Sequence, residues 1–156
     1  MEELSFSVNE DPMAALKGEL HARAKQGGAV LFGVADLRPA TAFIVRQGGE
    51  YLARFPRAVS IGLPMARAIV EGLEDTGNTP AAITYHYHVY EVVNRQAQAI
   101  TMELANRLDG LGYAAYPIPA SLNTNKERLA GMFSHKLAAH LGGLGFIGKG
   151  CLVVAP

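Results

Sequence analysis

Apolar residues recur at spacings of three and four along several stretches of the chain, a period typical of helices that bury one face. The predicted helices span residues 11–25, 41–46, 88–111 and 136–141. Asp11 is the predicted N-cap of the first helix, with Pro12 at its first helical position, and Ser134 is the predicted cap of the last. The helix at 88–111 is the longest.

Short continuous apolar runs between these helices predict buried strands. The predicted strands span residues 29–35, 58–64, 113–118 and 151–155. Pro117 and Pro119 place the third strand at a sheet edge or at its own end, because proline has no N–H for the ladder. Helices and strands alternate along the chain, which predicts an α/β sandwich with a mostly buried central sheet covered by helices.

Composition and charge narrow the class of protein. The 156 residues suit one domain, so residues 1–156 are predicted to form a single α/β domain. The 14 Lys and Arg residues balance the 14 Asp and Glu residues, and general nucleic-acid binding, which needs excess positive charge, is not expected. No apolar run is long enough to cross a membrane, and one cysteine cannot form an internal disulfide. We therefore expect a cytoplasmic protein.

The chain ends at Pro156, directly after the apolar run of the last predicted strand. Natural domains seldom end on such a strand, so we expect the sequence to be the N-terminal part of a longer protein. A strand that lacks its neighbour exposes backbone groups and apolar surface. We therefore expect a homo-oligomer.

Five glycines lie close together near the end of the chain, at positions 142, 143, 145, 148 and 150. The segment fits the GxGxxG pattern of dinucleotide-binding turns, but those turns follow a strand and open a helix, and the predicted order here is reversed. One interpretation is a helix C-cap followed by a tight turn. The other is a backbone that closely approaches a ligand or another strand, with Lys149 as a charged group or as a solvated side chain.

A second candidate group lies where the longest predicted helix begins, in the run Tyr85-His86-Tyr87-His88-Val89-Tyr90. Tyrosine and histidine side chains donate protons, and histidine titrates near neutral pH. The candidate catalytic residues are Tyr85, His86, Tyr87 and His88. The alternative is an aromatic segment that enters the helix, packs its rings and exposes its polar tips. The two histidines would share a metal only on an extended backbone, and no metal site is predicted.

Two histidines and the cysteine are not predicted to form a site. His135 and His140 lie five positions apart on a predicted helix and point in different directions. Cys151 opens an apolar strand, which favours an inert buried thiol over a nucleophile.

Residues 137–152 read LAAHLGGLGFIGKGCL, which resembles the LAxxAGLGWxGKxxLL block of epoxyqueuosine reductases and related iron–sulfur proteins. Two weaker similarities accompany this block. Residues 55–64 resemble the second strand of that family, and residues 87–94 match the start of its long helix. The resemblance covers most of the chain, from about residue 29 to the end.

The resemblance implies that the chain is the N-terminal α/β part of a corrinoid-dependent reductase, similar to the corrinoid-binding core of reductive dehalogenases. In that family a ferredoxin-like part with two 4Fe–4S clusters follows and passes electrons to cobalt, and none of the cluster cysteines is present here. The glycine turn would let the backbone approach the flat macrocycle of cobalamin. The cofactor-binding residues implied in this way are Gly143, Gly145, Gly148 and Lys149.

The family also carries an acidic residue, regarded as the proton donor, in a DSAPxxER stretch. The corresponding residues 117–123 read PIPASLN and contain no acid. The donor is therefore expected in the Tyr85–His88 run. The implied function is the substrate- and corrinoid-facing domain of an iron–sulfur-dependent reductase that acts on a small molecule or nucleoside, and that is inactive without its clusters. The alternative is a non-catalytic module that binds a ligand or docks a redox partner.

Overall fold

The structure is a computed structural model that describes residues 11–75, 77–124, 127 and 130–155. Its helices are α1 (Pro12–Gln26), α2 (Thr41–Gly48), α3 (Glu50–Ala53), α4 (Arg67–Glu71), α5 (Thr79–Tyr87), α6 (Asn94–Gly110) and α7 (His135–Leu141), with a 3₁₀ turn at Arg38–Ala40 and a π-helix at His88–Val93. Its strands are β1 (Leu31–Asp36), β2 (Arg57–Gly62), β3 (Phe146–Ile147) and β4 (Val153–Val154). The predicted mixture of helices and strands is confirmed. None of the described helices is long and apolar enough to cross a membrane.

The predicted helices are all present, and the two predicted caps are confirmed. The Asp11 carboxylate accepts a hydrogen bond from the Met13 N–H at 3.0 Å. The Ser134 hydroxyl accepts one from the Leu137 N–H at 3.2 Å. Each cap satisfies a backbone donor that the first turn of a helix leaves unpaired. The longest helix begins earlier than predicted, because α5, the π-helix and α6 follow one another without a break.

β1 and β2 pair in antiparallel fashion, from Leu31 opposite Gly62 to Asp36 opposite Arg57. Burial alternates along β1, whereas continuous burial was expected for this run. β3 and β4 form a second antiparallel pair. The strands of the described residues therefore make two separate two-stranded sheets.

The prediction of a strand at residues 113–118 is wrong, since this segment does not pair with any strand of the described residues. The Tyr113 N–H donates to the Leu108 carbonyl oxygen and the Ala115 N–H donates to the Asp109 carboxylate, at 3.0 and 3.1 Å. These two N–H groups therefore form hydrogen bonds with the last turn of α6, and Pro117 has no N–H that could pair with a neighbouring strand. The last predicted strand is shortened to β4, and Pro156 lies outside the described residues.

Two apolar clusters pack against the β1–β2 pair. The first lies between the strands and helices α1 and α6, and its buried members are Leu20, Ala24, Ala29, Ile100 and Leu104. The second involves α2, α3 and α7, and its buried members are Ala35, Leu37, Ile44 and Leu52. Helix α7 is thus held against the strands, which fixes the segments on either side of it.

Candidate functional site

A cleft of about 150 Å³ lies between residues 118–123, which follow α6, and residues 131–135, which lead into α7. We call it the 118–135 cleft. The Thr124 N–H donates to the Ala130 carbonyl oxygen at 3.1 Å, which brings the two walls together. Gln47 of α2 donates from Nε2 to the Gly131 carbonyl oxygen at 2.9 Å. The second wall is therefore tied to the body of the protein.

The polar side chains of the 118–135 cleft are those of Ser121, Asn123 and His135. The Nε2 atom of His135 lies 3.0 Å from the Pro119 carbonyl oxygen. Because a carbonyl oxygen only accepts, Nε2 carries the proton in this contact. Asn94, the first residue of α6, donates from Nδ2 to the Ser121 hydroxyl at 3.0 Å. The cleft thus combines a hydroxyl, an amide and an imidazole, which are groups that orient small ligands.

The sequence assigned no ligand role to His135, and two local signals could have drawn attention to it. The Ser134 cap makes His135 the first residue of α7. Pro117 and Pro119 also disfavour a strand in the segment that precedes the cleft. The Pro119 carbonyl oxygen therefore has no strand partner among the described residues and is free to accept a hydrogen bond from His135. His140 donates from Nδ1 to the Gly145 carbonyl oxygen at 3.0 Å. The prediction that the two histidines point in different directions is therefore confirmed.

The four candidate proton donors of the Tyr85–His88 run lie where α5 passes into the π-helix. The run is therefore inside a continuous helix and not at the entrance to one. Tyr85 and His88 are half-buried, and the two residues between them are exposed. The Ala66 N–H donates to His88 Nε2 at 3.2 Å, and the His86 ring lies 4.8 Å from the Tyr90 ring. Successive helical positions diverge by about 100°, so Tyr85 and His88, three positions apart, share one face, and His86 and Tyr87 point away from it.

Arginine–carboxylate pairs produce the lowered pKa values found among the described residues. Hydrogen bonds from Arg107 and then Arg23 lower the pKa of Glu19 to about 2. Hydrogen bonds from Arg38 lower the pKa of Asp36 to about 2. Neither carboxylate lines the 118–135 cleft. No group of three or more His, Cys, Asp or Glu side chains within the described residues is arranged to hold a metal ion.

The glycine block is used in part for packing within the chain. A Cβ added at Gly33 would lie 2.5 Å from the Gly142 carbonyl oxygen, and one added at Gly145 would overlap the Val154 carbonyl oxygen. Gly143 has a φ of 75°, the left-handed conformation common after a helix end. Gly145 is therefore needed because β4 approaches its backbone closely, and Gly143 is needed because the chain turns there after the end of α7.

The rest of the block forms the turn between β3 and β4. A Cβ at Gly150 would meet no atom within 4 Å, and one at Gly148 would make only ordinary contact. Lys149 is exposed. Cys151 is also exposed and has a φ of 57°, so the prediction of a buried thiol is wrong. The reason is that Cys151 lies in the turn, where its N–H donates to the Gly148 carbonyl oxygen at 3.0 Å, and not in the strand.

Comparison of the chain with protein-family models, with curated proteins and with solved structures finds no match.

Proposed function

We propose that the chain is the substrate-facing domain of an iron–sulfur-dependent reductase similar to epoxyqueuosine reductase. The support is the likeness of residues 137–152 to the glycine block of that family. The proposal includes a cytoplasmic location, an α/β sandwich around a central sheet, a small-molecule or nucleoside substrate, and 4Fe–4S clusters in a part that follows this chain.

The observation that carries the proposal is the position of residues 117–123. They correspond to the acidic stretch of the family, and six of them line the 118–135 cleft. An acidic residue within 117–123, as in the family, would face the cleft and could protonate a substrate there. This chain has no acid in that segment, but His135 lines the opposite wall. We infer that only the reacting end of the substrate enters this cleft, and that His135 Nε2, on leaving the Pro119 carbonyl oxygen, donates the proton that this end receives.

The Tyr85–His88 run remains the second set of donors. Its connection to the cleft is Asn94, which lies directly after the π-helix and donates to Ser121. π-Helical segments are frequent at functional sites, which supports a role for this region. Since His86 and Tyr87 are exposed, a donor from the run would have to reach a substrate that extends beyond the cleft.

The glycine turn and the 118–135 cleft do not fit a corrinoid. The space that a side chain would take at Gly145 is filled by the backbone of β4. The 118–135 cleft, at about 150 Å³, lies below the 300–1,000 Å³ typical of drug-sized ligands, which are smaller than a corrinoid. When bound, the clusters would supply electrons, and the residues of this chain would bind the substrate and hold a proton.

The test uses the full-length protein with its clusters loaded and reduced, and epoxyqueuosine as the probe substrate. Turnover is measured by mass spectrometry as loss of one oxygen atom, which consumes two electrons and two protons and releases water. We expect His135→Gln to lower kcat by about 10²–10⁴-fold, the usual loss when a general acid is removed. His140→Gln is the matched control on the same helix and should stay near the parent. Equal activity of the two variants would contradict the role of His135, and an inactive parent would contradict the reductase proposal.

One observation favours the alternative, a non-catalytic docking module. Phe146 and Leu152 on the β3–β4 hairpin are 60% and 70% exposed, and Ile147 and Val154 of the same hairpin are also exposed; a group of neighbouring exposed apolar residues is typical of protein-binding surfaces. The same surface supports the proposed homo-oligomer. Light scattering should then give a mass that rises with concentration above the 16.6 kDa of one chain.

A further inference from the structure

A second cleft, of about 320 Å³, lies between the end of α3 and the segment that follows α6. Its walls are formed by Tyr51, Arg54, Phe55, Pro56, Tyr113 and Ala114. We call it the aromatic cleft. Its volume is at the lower end of the range for small-molecule pockets, so it suits a ligand of one or two rings.

The rings around the aromatic cleft support one another. Tyr51 meets Phe55 and Tyr116 edge to face, with ring centroids 6.0 and 5.9 Å apart. Phe55 and Tyr116 are also 6.0 Å apart. Such edge-to-face pairs hold their rings in a defined orientation. Tyr51 is nevertheless 57% exposed and Tyr113 is 49% exposed, so aromatic surface remains open to a ligand.

Arg54 is the charged side chain among the residues that line the aromatic cleft. The Arg54 guanidinium lies over the Tyr51 ring, 5.6 Å from its centroid. Among the described residues, no ion pair involves Arg54 or Arg57. The carboxylate opposite Arg57 is that of Asp36, which is held by Arg38. A planar guanidinium matches the two oxygens of a carboxylate, so an anion is the natural complement of this wall.

We propose that the aromatic cleft binds a small aromatic carboxylate. The ring packs against Tyr51, Phe55 and Tyr113, and the carboxylate pairs with the Arg54 guanidinium. This site is separate from the 118–135 cleft and does not depend on the reductase proposal.

The test titrates the chain with naphthoate and with naphthamide, which share a ring system and differ in charge. Calorimetry gives the two affinities, and NMR shifts show which residues respond. We expect naphthoate to bind about tenfold more tightly or better, the effect of one charge-assisted contact, with shifts at Tyr51 and Tyr113. Shifts centred on His135, or equal affinity for the two probes, would overturn the proposal.

Two arginine variants separate a specific contact from general positive charge. Arg54→Gln should remove the preference for naphthoate and leave naphthamide binding unchanged. Arg46→Gln is the matched control, because its guanidinium also lies over a ring, that of Phe43 at 5.9 Å, but outside the cleft. Circular dichroism and the unfolding midpoint verify that both variants fold. Loss of the preference in both variants, or in neither, would contradict the assignment.

Discussion

Gly33 in β1 lies so close to the end of α7 that a Cβ there would be 2.5 Å from the Gly142 carbonyl oxygen. A glycine inside an apolar run often marks such an approach of another chain segment, so Gly33 carried a signal in the sequence. Its partner could not be identified there, because the contact joins segments far apart along the chain. His135 was missed for a related reason, since its acceptor lies on a separate segment.

Gly145 gives the most direct test of the packing described for the glycine block. Gly145→Ala should lower the free energy of unfolding by about 1–3 kcal/mol, because the new methyl group would overlap the Val154 carbonyl oxygen. Gly150→Ala is the control, since a Cβ there meets nothing within 4 Å. Urea denaturation measures both. Equal effects of the two substitutions would contradict the close approach of Gly145 to β4.

At the scale of elements, the four predicted helices are present, whereas α3, α4 and α5 were not predicted and the strands were predicted only in part. Helix periodicity and caps such as Asp11 and Ser134 are local signals, and both caps act as predicted. Strand pairing depends on residues far apart along the chain. The apolar run at β1 is compatible both with a central strand buried on two faces and with a strand of a two-stranded antiparallel sheet. Residues 113–118 have strand-like composition, but their backbone donors serve the end of α6.

The Ser134 cap should matter for both the stability of α7 and the position of His135. Ser134→Ala should lower the free energy of unfolding by about 1 kcal/mol, because the Leu137 N–H loses its acceptor. It should also weaken the contact between His135 and Pro119, seen as a change in the His135 ring signals by NMR. Ser134→Asn keeps a capping side chain and should preserve both. If Ser134→Ala matched the parent in both readouts, the cap would have no such role.

At the scale of the whole molecule, an ion-pair network joins helices α1 and α6. Arg107 of α6 donates to both carboxylate oxygens of Glu19, at 2.7 and 2.9 Å. Arg23 donates to Glu19 at 2.9 Å and to Glu103 at 3.2 Å. These groups lie beside the first apolar cluster, which buries Leu20 and Leu104 between the same two helices. The network therefore adds polar contacts to an apolar interface.

The network predicts a dependence of stability on acid. The pKa of Glu19 is lowered from 4.5 to about 2 by hydrogen bonds from Arg107 and Arg23, so folding favours its ionised form. Its contribution is complete above about pH 4.5 and is lost as the pH falls towards 2. Glu19→Gln should flatten this part of the curve of unfolding free energy against pH, measured by urea denaturation. Glu74→Gln, at an exposed turn position, should retain the slope. An unchanged slope in Glu19→Gln would contradict the assignment.

The approach of Gly33 to Gly142 also bears on how the chain folds. The two residues are separated by roughly a hundred positions, and closing so long a loop has an entropic cost that precedes the gain from contact. During synthesis β1 and β2 can pair while α7 is still absent, so the part of the second apolar cluster that Leu137 and Leu141 complete stays uncovered until α7 has left the ribosome. We therefore expect folding to finish with the docking of α7, and the 118–135 cleft to form only in that last step.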